Sequence, residues 1–243
     1  MLSSLMKAIV FDSDGVLVDS MPSHYKAWEI AFKEVCNIDV DRRTIYLLEG
    51  MRGIDLVKKV FELKSFDGND TAQMIAEQVS QQKNEVFRKF LFSSPPKAYE
   101  GVENLIMNLV DCKKAVVSGS ARKDVEALLQ RSLGQVNPFD VLVTADDIEK
   151  GKPDPSSFIE ALNKINISAS EAMVVENAPL GIEAANKAGI QSIVVLNNSP
   201  LNIEDFRFVI SKDRIFRETK SAARFIESQC NNYSSYGEKI SNK

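Results

Sequence analysis

The chain contains little cysteine and very little histidine. Its three cysteines, Cys36, Cys112 and Cys230, lie far apart and form no CxxC pair, and His24 is the single histidine among 243 residues. An odd, scattered set of cysteines argues against a disulfide framework and against a structural zinc site. The sequence therefore predicts three reduced thiols and a cytoplasmic protein.

Long basic runs and long apolar runs are also missing. No block of lysine and arginine is longer than two residues, and the formal net charge is -4. Proteins that bind nucleic acid or an anionic membrane usually carry a concentrated basic patch. No apolar run approaches the roughly 20 residues that a membrane-spanning helix needs. We therefore expect neither nucleic acid nor membrane as a partner, and the oligomeric state stays open.

The composition of the chain is typical of a folded protein with an ordinary hydrophobic core, since 44% of its residues are hydrophobic and 26% are charged. Short β-branched runs recur that are apolar at consecutive positions, which is typical of strands buried on both faces of a parallel sheet. These runs are residues 8–11, 115–117, 141–143, 173–175, 193–196 and 208–210. Helical patterns at 123–133, 155–162 and 179–188 alternate with them. The alternation predicts a Rossmann-like, doubly wound α/β core.

One long segment interrupts this alternation. Residues 20–92 contain three amphipathic helical patterns and almost no strand signal. We therefore predict an all-helical domain at 20–92, inserted after the first strand into an α/β core formed by 1–19 and 93–230. The polar residues 231–243 are predicted to form a C-terminal tail.

Two carboxylates follow the first predicted strand, in the sequence Asp12-Ser13-Asp14-Gly15. Ligands of open parallel sheets bind at the carboxyl ends of the strands. One carboxylate there could attack phosphorus and bind a metal, while the other acts as general acid and base. Alone, this motif is equally compatible with an acidic turn or with a fragment of a calcium loop.

A serine loop, Ser118-Gly119-Ser120, follows the second predicted strand. Hydroxyl and backbone N–H groups that open into a helix can hold a phosphate. The alternative is an ordinary loop with a serine cap. Arg122 could contact a substrate anion or could be a solvated residue of the first helical turn.

Two further motifs follow later strands. Lys152 precedes Pro153 in a loop with a second proline, and it could offset the charge of a phosphate and its nucleophile; the alternative is a basic surface turn. Glu176 and Asn177 end the fourth predicted strand, and their oxygens suit Mg²⁺, a hard cation. Asn177 could instead be a helix N-cap.

The four motifs together, in this chain order and each at a predicted strand end, resemble the haloacid dehalogenase superfamily. The resemblance is to the subgroup with a helical cap inserted after the first strand, which includes β-phosphoglucomutase, phosphoglycolate phosphatase and sugar-phosphate phosphatases. It implies Mg²⁺-dependent hydrolysis of a small phosphomonoester, a sugar phosphate or similar metabolite. A phosphomutase is the alternative, and a non-catalytic module on the same fold is a third possibility.

The resemblance also implies roles for individual residues. Asp12 would form an aspartyl-phosphate, and Asp14 would protonate the leaving oxygen and later deprotonate water. Burial beside other carboxylates would raise the pKa of Asp14, which suits an acid. Ser118, Gly119 and Ser120 would contact phosphoryl oxygens beside Lys152.

Mg²⁺ would be held by Asp12, the Asp14 backbone carbonyl and Asn177, with Glu176 as a further candidate ligand. Many relatives have two acids where this chain has Glu176-Asn177, so the resemblance implies a lower affinity for Mg²⁺.

Three residues of the predicted insert are candidates for substrate contact, namely His24, Glu49 and Arg52. Glu49 lies where β-phosphoglucomutase would carry a lysine, which favours a phosphatase over a mutase.

Overall fold

The computed structural model describes residues 6–67, 69–134, 138–207 and 210–230. Within these residues six parallel strands form one sheet in the order β3-β2-β1-β4-β5-β6. The strands are β1 (Ala8–Asp12), β2 (Lys113–Val117), β3 (Val141–Val143), β4 (Ala172–Glu176), β5 (Gln191–Val195) and β6 (Ile215–Phe216). The chain moves outward from β1 to β3 on one side and then returns to place β4 on the other side of β1. This strand order creates the reversal point at which open α/β sheets bind ligands.

Helices cover both faces of the sheet. The described helices are α1 (Met21–Cys36), α2 (Arg42–Leu47), α3 (Gly53–Leu63), α4 (Ala72–Ser93), α5 (Val102–Asn108), α6 (Arg122–Leu133), α7 (Ser156–Ile165), α8 (Pro179–Lys187) and α9 (Thr219–Cys230). Ile9 and Phe11 of β1 belong to the core cluster that includes residues of α5, α6 and α9. Ala8 and Val10 belong to the opposite cluster, with α7 and α8. Successive side chains of a strand point to opposite faces, so both must be apolar here. This confirms the predicted doubly wound parallel sheet.

Helices α1 to α4, which we call the helical insert, have a hydrophobic cluster of their own. Trp28 and Phe32 of α1 pack in it with Phe61 of α3 and Val79 of α4. The two chain segments that join the insert to the sheet run side by side, because the N–H of Asp19 donates to the carbonyl of Lys97 at 2.9 Å. The division into a core and an inserted domain is compatible with these contacts and stays a prediction.

The secondary structure differs from the sequence prediction in four places. Helices α2, α5 and α9 are not among the predicted patterns; α2 and α5 have only six and seven residues, which carry little periodic signal. The last strand lies at Ile215–Phe216. The run predicted as that strand includes residues 208 and 209, which lie outside the described residues, as does the predicted tail at 231–243.

The prediction of three reduced thiols is wrong for two of the cysteines. Cys112, just before β2, and Cys230, at the end of α9, form a disulfide across a sequence separation of 118, and Cys36 is free. Both bonded cysteines are buried, so the bridge fastens the last described helix to the sheet. The disulfide removes the observation on which the predicted cytoplasmic location depended. No helix in the described ranges is both long and apolar enough to cross a membrane.

Candidate active site

The turn after β1 brings two of the predicted motifs together. Gly15 has a φ of +81°, a conformation that favours glycine. A Cβ atom added to Gly15 would lie 2.1 Å from Nδ2 of Asn177, so the first and fourth motifs are in direct contact. Parallel pairing of β1 with both β2 and β4 places the ends of these three strands at one edge of the sheet.

Lys152 connects the first, third and fourth motifs through buried ion pairs. Its ammonium donates to Oδ1 of Asp12 and to Oε1 of Glu176, and all three residues are at most 3% exposed. Burial alone would lower the pKa of Lys152, but Asp12 and Glu176 raise it, so this lysine stays charged. Burial raises the pKa of Asp12 above its ordinary value, repulsion from Glu176 and Asp14 acts in the same direction, and the attraction of Lys152 opposes the rise.

Asp14 accepts hydrogen bonds from three residues, two at the start of α1 and one after β2. Its Oδ1 accepts from Oγ of Ser20 and from Nε2 of His24 at 2.9 Å, and its Oδ2 accepts from Oγ of Ser118 at 3.4 Å. Burial alone would raise the pKa of Asp14, but His24 and the hydrogen bonds from His24 and Ser20 lower it to about 2. The expectation that the pKa of Asp14 is raised is therefore wrong. It was based on burial and neighbouring acids and did not include the hydrogen bonds from His24 and Ser20.

The serine loop lies between Asp14 and the helical insert. Ser118 is buried, its N–H donates to the carbonyl of Val143 at 2.9 Å, and its Oγ accepts from the N–H of Ser120 at 3.2 Å. A Cβ atom on Gly119 would lie 3.1 Å from the carbonyl oxygen of Gly50, so the insert approaches this loop closely. The structure thus brings the serine loop, Asp14 and the insert together.

Two buried oxygens at this edge are suitable for a divalent cation. Oδ2 of Asp12 and Oδ1 of Asn177 have no hydrogen-bond partner among the described residues. Unpaired buried acceptors are costly, and oxygen donors of this kind are the ligands that Mg²⁺ prefers. The described ranges contain no group of three histidine, cysteine or acidic side chains that could hold a metal. The predicted set differs from such a group, since it combines one carboxylate, one amide oxygen and one backbone carbonyl.

Glu176 is not free to join that set. Its Oε1 contacts Lys152, and its Oε2 accepts from the N–H of Asn177 at 2.7 Å and of Ala178 at 3.0 Å. A Cβ atom on Gly181 would overlap Oε1, so a glycine at 181 makes room for this carboxylate. The structure corrects the candidate ligand role: Glu176 holds Lys152 in place.

A cavity of about 830 Å³ lies between the helical insert and this edge of the sheet. The predicted substrate residues that line it are His24, Glu49, Arg52, Gly119 and Ser120, and both Asp14 and Lys152 line it as well. The guanidinium of Arg52 donates to the carbonyl of Glu149. Oε2 of Glu49 is buried without a hydrogen-bond partner among the described residues, and burial followed by repulsion from Asp12 raises the pKa of Glu49.

Lys83 is a buried, charged residue of the cavity lining that the sequence analysis missed. Lys83 of α4 is 7% exposed, and its ammonium lies 5.2 Å from the ring centre of Trp28 and 5.1 Å from that of Phe87. Burial lowers the pKa of Lys83 to about 8, with Asp14 acting in the opposite direction. The available signal was a lysine between Val79 and Val86, on the apolar side of α4, where a charge is unusual.

Arg122 is a predicted contact that the structure does not bring to the cavity lining; Asp12 and Ser118, which are buried at the sheet edge, are also absent from that lining. Its guanidinium donates to both carboxylate oxygens of Asp147, at 3.0 and 2.7 Å, and to the carbonyl of Leu142 at 3.1 Å. It is absent from the residues that line the cavity. The sequence left two roles open for Arg122, a substrate contact or a residue of the first helical turn. The structure fits the second role better, because the guanidinium is paired with Asp147.

The ion pairs of Asp147 predict a pH-dependent contribution to stability. Burial would raise the pKa of Asp147, but hydrogen bonds from Lys164 and Thr144 lower it from 3.8 to about 2. A depressed folded-state pKa gives stability that is present above pH 4 and is lost as the pH falls toward 2. We expect Asp147→Asn to cost about 1 kcal/mol at pH 7, because solvent screens this partly exposed carboxylate, and progressively less below pH 4. Urea unfolding across this range measures the difference, with the exposed Asp70→Asn as control, and an unchanged cost at pH 3 would contradict the assignment.

Sequence comparison extends the likeness to most of the chain. The family described as haloacid dehalogenase-like hydrolase matches residues 9–195, from the start of β1 to the end of β5. The chain belongs to this family. The predicted family and the prediction of a hydrolytic enzyme are thereby confirmed.

Relatives of this hydrolase act on phosphorylated carbohydrates. It is 30% identical over 193 residues to the phosphorylated carbohydrates phosphatase of Thermotoga maritima, covering 77% of this chain and 84% of that protein. It is also 30% identical to the fructose-1-phosphate phosphatase YqaB of Escherichia coli, covering 77% of this chain and 95% of that protein. It is 27% identical to the β-phosphoglucomutase of Bacillus subtilis, covering 81% of this chain and 86% of that protein. The solved β-phosphoglucomutase of Clostridium difficile shares its fold, with a TM-score of 0.76 at 22% identity over 96% of this chain and 99% of that one.

Proposed function

We propose that this hydrolase is a Mg²⁺-dependent phosphatase for a small phosphorylated carbohydrate and that it works through an aspartyl-phosphate on Asp12. The observation that carries the proposal is the buried contact of Asp12 with Lys152 at the edge of a cavity that the serine loop also lines. The names of the Thermotoga maritima and Escherichia coli relatives favour a carbohydrate phosphate as the substrate class.

Each nearby side chain has a part in the proposed reaction. Asp12 attacks phosphorus, while the charge of Lys152 offsets the negative charge that gathers in the transition state. Hydroxyl and backbone N–H groups of the serine loop bind phosphoryl oxygens. Bound Mg²⁺, held by Asp12, Asn177 and the Asp14 carbonyl, would add positive charge at the phosphoryl group.

Asp14 exchanges the protons in this scheme. It donates one to the leaving oxygen and takes one from the water that hydrolyses the aspartyl-phosphate. Since its donors keep it ionised in this arrangement, we propose that an arriving phosphate dianion raises the pKa of Asp14 and that the carboxyl group takes up its proton as substrate binds.

The helical insert is proposed to act as a cap that excludes water and selects the substrate. It contributes His24, Glu49, Arg52 and Lys83 to the cavity lining, opposite the sheet edge. A hydroxyl-rich substrate body is favoured near Glu49, because its unpaired buried oxygen can form a hydrogen bond with a hydroxyl group.

A substrate panel tests this function. The purified enzyme is incubated with Mg²⁺ and a series of sugar monophosphates and other small phosphomonoesters, and both released phosphate and isomerised product are measured. Phosphate release that requires Mg²⁺ supports the phosphatase. Isomerisation without net release would replace it by the mutase, and an enzyme inert toward the whole panel would favour the non-catalytic module.

Asn177 gives a prediction about the metal. We expect Asn177→Asp to lower the Mg²⁺ concentration for half-maximal activity roughly tenfold, because a carboxylate supplies a charge that the amide lacks. Titration of activity and of heat release with Mg²⁺ measures the change. Asn84→Asp, which adds a charge elsewhere in the cavity lining, is the matched control. Weaker Mg²⁺ binding in Asn177→Asp would contradict the ligand assignment.

A further inference from the structure

Two buried polar residues that lie far along the chain from the first motif form hydrogen bonds with the turn that carries Asp14. Asn197 follows β5 and Thr219 begins α9, and they are 6% and 1% exposed. The Nδ2 of Asn197 donates to the carbonyl of Gly15 at 2.9 Å, and the Oγ1 of Thr219 donates to the carbonyl of Val16 at 3.0 Å. Neither residue lines the cavity, so neither is available to substrate there.

The two residues also hold each other. The N–H of Thr219 donates to Oδ1 of Asn197 at 2.8 Å, and Nδ2 of Asn197 donates to Oγ1 of Thr219 at 2.8 Å. Asn197 adopts a left-handed φ of +41°, and its own N–H donates to the carbonyl of Arg217 at 2.9 Å. Non-glycine residues adopt such backbone at a cost, and the surrounding contacts maintain it here.

Together with one bond inside the turn, these contacts fix three successive peptide planes. The plane between Asp14 and Gly15 is held because the N–H of Gly15 donates to the carbonyl of Val18 at 2.9 Å. The next two planes are held by Asn197 and Thr219 through the carbonyls of Gly15 and Val16. The backbone that sets the direction of the Asp14 side chain and of its carbonyl therefore has little freedom.

We propose that Asn197 and Thr219 form a buried clasp that positions Asp14 for proton transfer and its carbonyl for the metal. The inference rests on the proposed function for its catalytic part. Both members are positioning residues, because they touch the backbone of the turn and no reacting atom. Catalytic groups lose large factors in rate when they shift by about 1 Å.

The test compares two substitutions of Thr219 that differ in one hydroxyl. Thr219→Val keeps the shape and removes the hydroxyl, whereas Thr219→Ser keeps it. We expect Thr219→Val to lower kcat roughly tenfold with KM within about twofold of the wild type, and Thr219→Ser to recover most of the loss. Asn197→Asp, which loses the donor to Gly15, is expected to follow Thr219→Val. Ile226→Val, a buried change in the same helix, controls for a general loss of stability.

Hydrogen exchange and Mg²⁺ calorimetry make the result independent of turnover. Amides of residues 13–18 should exchange faster in Thr219→Val than in Ile226→Val, and Mg²⁺ should bind more weakly. If the valine and serine variants share one kcat, or if exchange of the turn is unchanged, the clasp is overturned. Should the wild type hydrolyse nothing in the panel, the phosphatase fails, while exchange and calorimetry still decide the clasp.

Discussion

Asp12→Asn should reduce kcat for phosphate release by at least about 10³-fold, because an amide cannot form the phosphorylated intermediate. The substitution keeps the size of the side chain and an oxygen for Lys152, so the fold and substrate affinity should persist. Phosphate release under single-turnover conditions and mass spectrometry of the quenched enzyme provide the measurement. The wild type should gain the mass of one phosphoryl group, and the variant should not.

A second aspartate shows whether the effect is specific. Asp140 is exposed and pairs with Lys113 at the other end of the sheet, beside the start of β2. Asp140→Asn should keep kcat within about twofold of the wild type. Retention of a tenth or more of the wild-type kcat by Asp12→Asn would rule out Asp12 as nucleophile. Equal inactivity of wild type and variant would instead favour the non-catalytic module.

Much of this site was accessible from the sequence because strand ends in a parallel sheet converge. Consecutive apolar runs marked the buried strands, and the polar residues that follow them were Asp12, Ser118 and the pair Glu176-Asn177. Parallel pairing then leaves few places for those residues except one edge. The same reasoning could not place Arg122, since a residue in the first turn of a helix can point toward the sheet edge or away from it.

The remaining features depend on contacts that local patterns do not encode. The low pKa of Asp14 arises from His24 and Ser20 at the start of α1 and from Lys83 of α4. The role of Glu176 follows from backbone N–H groups that occupy its second oxygen. The disulfide joins cysteines that are separated by most of the core, and the clasp joins Asn197 to Thr219 across β6. Each of these features depends on tertiary contacts and cannot be predicted from the spacing of residues in the sequence.

Lys152→Met should impair stability and turnover together. The ammonium compensates the buried carboxylates of Asp12 and Glu176, and removing one partner of a buried ion pair typically costs about 3–5 kcal/mol. Loss of the positive charge at the phosphoryl group should also reduce kcat by roughly 10²-fold or more. Urea unfolding and phosphate release measure the two effects. Lys123→Met, at an exposed lysine of α6 that does not line the cavity, should leave both nearly unchanged.

A double variant separates the structural part of Lys152 from its catalytic part. In Lys152→Met, a second change Glu176→Gln removes one uncompensated charge while keeping an oxygen for the N–H groups of Asn177 and Ala178. We expect the double variant to regain part of the lost stability, because fewer buried charges lack a partner. Its kcat should stay as low as that of Lys152→Met, because the ammonium group at the phosphoryl group is still missing. If turnover returned with stability, Lys152 would serve the fold alone, and the charge that the reaction requires would have to come entirely from the metal.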